Sequence, residues 1–126
     1  METKRTKKPA VLLVEDDNGT REAMTELLSH AGYEVESAAS VTEALELLNG
    51  QPFLICDMNL PDGLGLTILR KVRAEKSQMK IAVCSGTGDP DVIRAVNSEH
   101  PDIFFRKPIR FEALATWLAS ASGGSA

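Results

Sequence analysis

The chain of 126 residues carries 14 lysines and arginines against 18 aspartates and glutamates, for a formal net charge of −4. That acidic balance argues against binding a nucleic-acid backbone, which calls for a basic face, so no direct nucleic-acid contact is expected. With 43% apolar and 25% charged residues the composition is that of one globular domain, and with no apolar run near the roughly 20 residues that span a bilayer and no secretory segment after Met1, no membrane contact and a cytoplasmic location are expected.

Residues 1–8, with Lys4, Arg5, Lys7 and Lys8, read as a basic disordered tail, and 121–126 as a flexible tail or the start of a linker. Between them, over 9–120, strand-like and helix-like patterns alternate five times. Val11 to Val14 reads as a strand buried on both faces. Met24, Leu27, Leu28 and Ala31 then recur at helical spacing, and Gly32 is placed to end that helix. Tyr33 and Val35 alternate with Glu34 and Glu36, as in an edge strand. Ser40-Val41-Thr42-Glu43 matches a capping box, and Val41, Ala44, Leu45 and Leu48 supply the second helical stripe, closed by Asn49-Gly50. Phe53 to Cys56 is the third strand. Leu60 to Gly65 is expected to be an irregular loop, since Pro61, Gly63 and Gly65 disfavour regular structure.

Leu66, Leu69 and Val72 mark a third helix, and Ile81 to Cys84 a fourth strand. Asp89-Pro90 reads as a helix cap followed by proline in the first turn, with Val92, Ile93 and Val96 as a short apolar face. Ile103 to Phe105 is the fifth strand, and Phe111, Leu114, Ala115 and Leu118 form the clearest stripe. Strands alternating with helices imply a parallel sheet covered on both faces. The expected fold is a flavodoxin-like (βα)5 domain, doubly wound, with a five-stranded parallel sheet in the order 2-1-3-4-5.

Cys56 and Cys84 are too far apart in sequence for a C-x-x-C motif and have no companion ligands, so two buried reduced thiols are expected. His30 and His100 read as surface histidines, and Trp117 lies off its helix's stripe, packed against a neighbour or open to a partner.

Four of the five strands end in chemistry. Val14 runs into Glu15-Asp16-Asp17, Cys56 into Asp57, Cys84 into Ser85, and Phe105 into Arg106-Lys107. Magnesium takes hard oxygen ligands, and Glu15, Asp16 and Asp57 could supply them. A carboxylate can also act as a nucleophile that forms an aspartyl phosphate. Metal, lysine and hydroxyl could then share the three phosphoryl oxygens, with Lys107 and Ser85 as candidates. Asp17 and Asn18 read instead as caps of the following helix.

Val14-Glu15-Asp16, Asp57 followed by Leu60-Pro61, Ser85-Gly86 and Lys107-Pro108 resemble the receiver domain of two-component response regulators, over about Pro9 to Ser120. The resemblance implies that Asp57 accepts a phosphoryl group from a phosphohistidine on a sensor histidine kinase or histidine phosphotransfer protein. It implies Mg²⁺ (or Mn²⁺) bound by Asp16 and Asp57, by Glu15 through water, and by the backbone carbonyl of Asn59. Ser85 would turn toward the phosphoryl group, Lys107 would pair with it, and Phe104 would follow Ser85, shifting the fourth-helix to fifth-helix face. Such a chain is a self-phosphorylating and self-dephosphorylating switch rather than a turnover enzyme. It is a single-domain regulator or a fragment of a longer regulator or hybrid kinase, with a phosphorylation-dependent homodimer as one form of output. Glu15, Ser85 and Phe104 stand where the family more often has Asp, Thr and Tyr, and Leu64 where it often has a polar helix cap.

Two other classes share some of these residues. A phosphatase of the haloacid dehalogenase type also uses a strand-end Asp, but needs a second acid where this chain has Asn59, which does no acid–base work. A receiver-like interaction module without phosphate chemistry would have no need of the full acid set.

Overall fold

The computed structural model describes residues 8–121 apart from Thr87. The elements in chain order are β1 (Ala10–Val14), α1 (Asn18–His30), β2 (Glu34–Ala38), α2 (Val41–Leu47), β3 (Phe53–Asp57), β4 (Asn59–Leu60), β5 (Gly63–Leu64), α3 (Leu66–Ala74), β6 (Lys80–Ser85), α4 (Pro90–Asn97), β7 (Ile103–Arg106) and α5 (Phe111–Ala121). The main sheet has five strands, all parallel, in the order β2-β1-β3-β6-β7. With the small β4–β5 hairpin set aside, this is the 2-1-3-4-5 order expected from the sequence.

The central strands are apolar along their whole length because helices cover both faces. Side chains alternate across a strand. Leu12, Val14, Leu54, Cys56, Ile81 and Val83 therefore meet Ala44 of α2, Leu69 and Val72 of α3 and Val96 of α4. Their neighbours Val11, Leu13, Phe53, Ile55, Ala82 and Cys84 face Leu28 of α1 and Leu114 and Leu118 of α5. Cys56 and Cys84 belong to opposite faces, are free and buried, and burial pushes both thiols up, Cys84 to about 12. They act as small core residues. Trp117 is half-buried and packs edge-on against Phe53, ring centres 6.0 Å apart, while His30 and His100 are exposed.

Local signals set the helix ends. Asp17 caps α1, its carboxylate accepting from the Thr20 amide at 2.8 Å. Gly32, at φ 102, takes the left-handed turn beyond the last residues of α1. Ser40 caps α2 by accepting from the Glu43 amide at 3.1 Å, and Glu43 reaches back to the Ala39 amide at 2.6 Å, one residue further out than a strict capping box. Asp89 caps α4 ahead of Pro90.

One expectation is corrected. Leu60 to Gly65 is not wholly irregular: Asn59–Leu60 pairs antiparallel with Gly63–Leu64 across a turn at Pro61-Asp62. Proline suits the first turn position, and Gly63 takes φ 153, where a side chain would be strained. Helix α5 also runs to Ala121, one residue past the expected domain edge. Apart from Lys8 and Ala121, the two expected tails lie outside the described residues.

Leu54 lies on β3 with no exposed surface, whereas Leu27 on α1 is 44% exposed. Leu54→Ala is expected to cost about 2–5 kcal/mol, and Leu27→Ala less than about 0.5 kcal/mol. Urea unfolding checks this as a fall in midpoint at constant slope for the first variant alone.

Candidate functional site

Parallel strands bring their carboxyl ends to one edge of the sheet, and there the candidate side chains meet. Ladder bonds continue past the strand ends and fix the backbone. Glu15 N–H donates to Ala38 C=O at 3.0 Å, Met58 N–H to Cys84 C=O at 3.1 Å, and Lys107 N–H to Ser85 C=O at 2.9 Å. Glu15 and Asp57 are buried at the ends of β1 and β3, Asp16 is exposed, and Ser85 is fully buried at the end of β6.

Lys107 joins the two buried acids. Its Nζ donates to Asp57 Oδ2 and to Glu15 Oε1, each at 2.9 Å. Glu15 keeps its second oxygen on the Asp17 amide at 3.0 Å. Arg21 of α1 supports the same corner, donating to the Glu15 carbonyl at 2.9 Å and to Asn18 Oδ1 at 2.6 Å. Carboxylate oxygens of Glu15, Asp16 and Asp57 all lie within 4.8 Å of one another. Three hard oxygen donors at that spacing could hold a metal ion. A cavity of about 480 Å³ opens beside Asp57, between Thr20 and Met24 of α1 and the Pro108-Ile109 segment.

Burial raises the Asp57 pKa above the usual carboxylate value, against the hydrogen bond and charge of Lys107, which lower it. The negative charge of Glu15 adds to the rise, and a bond from the Asn59 amide opposes it. Burial works against the charge on Lys107, yet its bonds to Asp57 and Glu15 outweigh this and its pKa is pushed up to about 12. The stability drawn from the lysine is thus complete below its ordinary value of 10.5 and is lost as pH rises through about 12.

The remaining candidates fall around this core. Asn59 is exposed, two residues past Asp57, and opens the hairpin as the partner of Leu64. Phe104 is half-buried on β7 opposite Val83, packed against the core under α2, α3 and α4. Ser85 pairs with Arg106 on that ladder, so Phe104 sits two residues before the position facing Ser85. Leu64 is exposed, and the N-cap position of α3 falls to Gly65 with no side-chain bond.

Three features were not anticipated. A Cβ on Gly65 would stand 2.2 Å from the Asp57 carbonyl oxygen, so only glycine lets α3 begin against the end of β3. Asp62 reaches from the hairpin turn to the first turn of α2. Arg21 looks in the sequence like an ordinary surface arginine. A Pro-Asp-Gly turn flags Asp62 and Gly63 as special, but a partner some 20 positions away leaves no trace in local spacing.

Removing the ammonium would leave two buried acids facing each other. Lys107→Ala is expected to raise the Asp57 pKa further and to cost about 2 kcal/mol at neutral pH. Because a raised acid pKa destabilises only the ionised form, the loss should shrink as pH falls and Asp57 takes up its proton. Carboxylate-carbon NMR titration with urea unfolding at each pH checks both signs.

Comparison with known proteins identifies the family. The family model described as the response regulator receiver domain matches residues 11–119. The chain is 31% identical over 111 residues to a cyclic di-GMP phosphodiesterase of Thermotoga maritima, covering 88% of this chain and 30% of that one. It is 35% identical over 109 residues to the C4-dicarboxylate transport transcriptional regulatory protein DctD of Rhizobium meliloti, covering 84% and 24%. It thus spans only about a quarter to a third of the length of these relatives. A response regulator receiver domain protein from Clostridium thermocellum superposes with a TM-score of 0.82 at 27% identity, over 93% of this chain and 96% of that one. Among the described residues no helix is long and apolar enough to cross a membrane. A parallel sheet wound in this order, acids and lysine joined at its edge, and a family match over nearly the whole sheet lead to one conclusion: the chain belongs to the response regulator receiver domains, phosphoacceptor modules of two-component signalling.

Proposed function

We propose that Asp57 is the phosphoacceptor, taking the phosphoryl group from a phosphohistidine on a sensor histidine kinase or a histidine phosphotransfer protein. The observation that carries this is the buried Asp57 carboxylate bonded to Lys107 with Glu15 and Asp16 grouped around it. Lys107 engages Asp57 Oδ2, and Oδ1 is taken as the attacking atom. In the transfer Oδ1 bonds to phosphorus, the phosphorus–nitrogen bond of the donor breaks, and its electron pair stays on the imidazole nitrogen. The product is an acyl phosphate on Asp57 and a free histidine.

Negative charge spreads over the three equatorial oxygens of the transferring group, and the work of the site is to offset it. Lys107 moves from the Asp57 carboxylate to one phosphoryl oxygen, while Ser85 presents its hydroxyl to another. Held by Glu15, Asp16, Asp57 and the Asn59 carbonyl, Mg²⁺ (or Mn²⁺) would supply the remaining positive charge. The raised pKa of Asp57 makes its carboxylate a more basic nucleophile than an ordinary aspartate.

The chain acts as a switch rather than a turnover enzyme, with one phosphoryl group held per molecule and lost later to water. Burial of Ser85 beneath the site couples it to its ladder neighbours on β7. A shift of Ser85 toward the phosphoryl group draws Phe104 inward and changes the α4–β7–α5 face. An output partner or a second copy of the chain reads that face.

With Mg²⁺ and a small phosphodonor such as acetyl phosphate, intact-mass measurement is expected to show one acid-labile phosphoryl group. Asp57→Asn and excess chelator should each abolish it. A full adduct on Asp57→Asn contradicts the assignment.

A further inference from the structure

Helix α2 begins with amides that need partners, as every helix does. Ser40 Oγ takes the Glu43 amide, and the other two come from outside the helix. Asp62 Oδ1 accepts from the Val41 amide at 2.7 Å, and Asp62 Oδ2 accepts from the Thr42 amide at 3.0 Å and the Thr42 hydroxyl at 2.8 Å. A carboxylate there also faces the positive end of the helix dipole. These bonds hold the Asp62 pKa below the usual carboxylate range, with the Thr42 and Val41 amides as the largest causes.

Asp62 sits at the tip of the hairpin whose first residue is Asn59. The hairpin's return is tied by the Gly65 amide to the Met58 carbonyl at 2.8 Å and by the close seat of Gly65 on the Asp57 carbonyl. Gly65 brings no capping side chain to α3, and Leu64 is 42% exposed. Asp62 is what holds the tip to α2, and a Cβ added at Gly63 would meet the Val41 side chain at 3.6 Å.

We propose that Asp62 is a positioning residue for the cation site: by clasping the hairpin to α2 it sets the place of the Asn59 backbone carbonyl relative to Asp57. This rests on the metal site put forward above. Asp62 touches neither metal nor phosphoryl group, and its effect passes through the hairpin backbone. Linkage makes the effect mutual, so an occupied site should tighten the clasp.

The test uses the full chain and Mn²⁺, followed by electron paramagnetic resonance of the free ion. Asp62→Ala is expected to weaken Mn²⁺ binding by about tenfold, the lower end of what lost supporting contacts cost a metal site. Asp62→Asn keeps one of the two acceptor oxygens and should fall between Asp62→Ala and the wild type. Ser40→Ala, which loosens the same helix end without touching the hairpin, should bind Mn²⁺ as the wild type does. Mg²⁺ should also slow hydrogen exchange at the Val41 and Thr42 amides in the wild type. If Asp62→Ala binds as tightly as wild type, or Ser40→Ala is equally impaired, the clasp is wrong while the cation site stands. A wild-type chain that binds no Mn²⁺ overturns the site and the clasp together.

Discussion

The ammonium of Lys107, shared at 2.9 Å between Glu15 and Asp57, is the interaction on which the site depends. It ties the ends of β1 and β3 to the residue after β7, drawing together parts of the chain separated by most of its length. Without a cation, two buried carboxylates at that corner would repel each other across a medium that screens poorly. The lysine satisfies this constraint in the resting chain, yet a flexible four-carbon stem lets it be redirected. An arginine fork would bind the acids more rigidly and be harder to move. In the proposed transfer, the bond that steadies the sheet edge is also the one that has to rearrange.

The fold serves this corner by rigidity. β3 is buried from end to end, so Asp57 stands on a strand with no slack, and the close contact of Gly65 with its carbonyl stops the backbone from receding. Glu15 is held through both carboxylate oxygens, one on Lys107 and one on the Asp17 amide, and Arg21 secures its carbonyl. Asp17, next in sequence to the cluster, is spent on capping α1 at the Thr20 amide and hydroxyl. Adjacent acids thus have separate tasks, divided by which way the chain turns as it leaves β1.

Much of this was legible in the sequence because it follows from period and punctuation. Apolar runs such as Val11–Val14 and Phe53–Cys56 have no exposed face, which implies a sheet covered on both sides, and the residue that ends each run must then lie at the sheet edge. Asp57, Ser85 and Lys107 could be placed by that reasoning alone. What stayed hidden depends on distances between segments. Nothing about Gly65 in isolation tells it from a loop glycine; its need appears only when a Cβ is set against the Asp57 carbonyl. The hairpin at Asn59–Leu64 is too short for alternation to register, and the partners of Asp62 are on another helix. Leu64, where the resemblance led to a missing helix cap, proved consistent with α3 starting at Gly65 without a side-chain bond.

Of three neighbouring acids, Asp57 is the one proposed to take the phosphoryl group. Borohydride reduces an acyl phosphate to an alcohol, turning a phosphorylated aspartate into homoserine and a phosphorylated glutamate into its longer homologue. Treating the phosphorylated chain in this way and sequencing its peptides by mass spectrometry reads the acceptor directly. The expected result is homoserine at position 57, with Glu15 and Asp16 unchanged. Label at either of those two residues, with Asp57 intact, would contradict it.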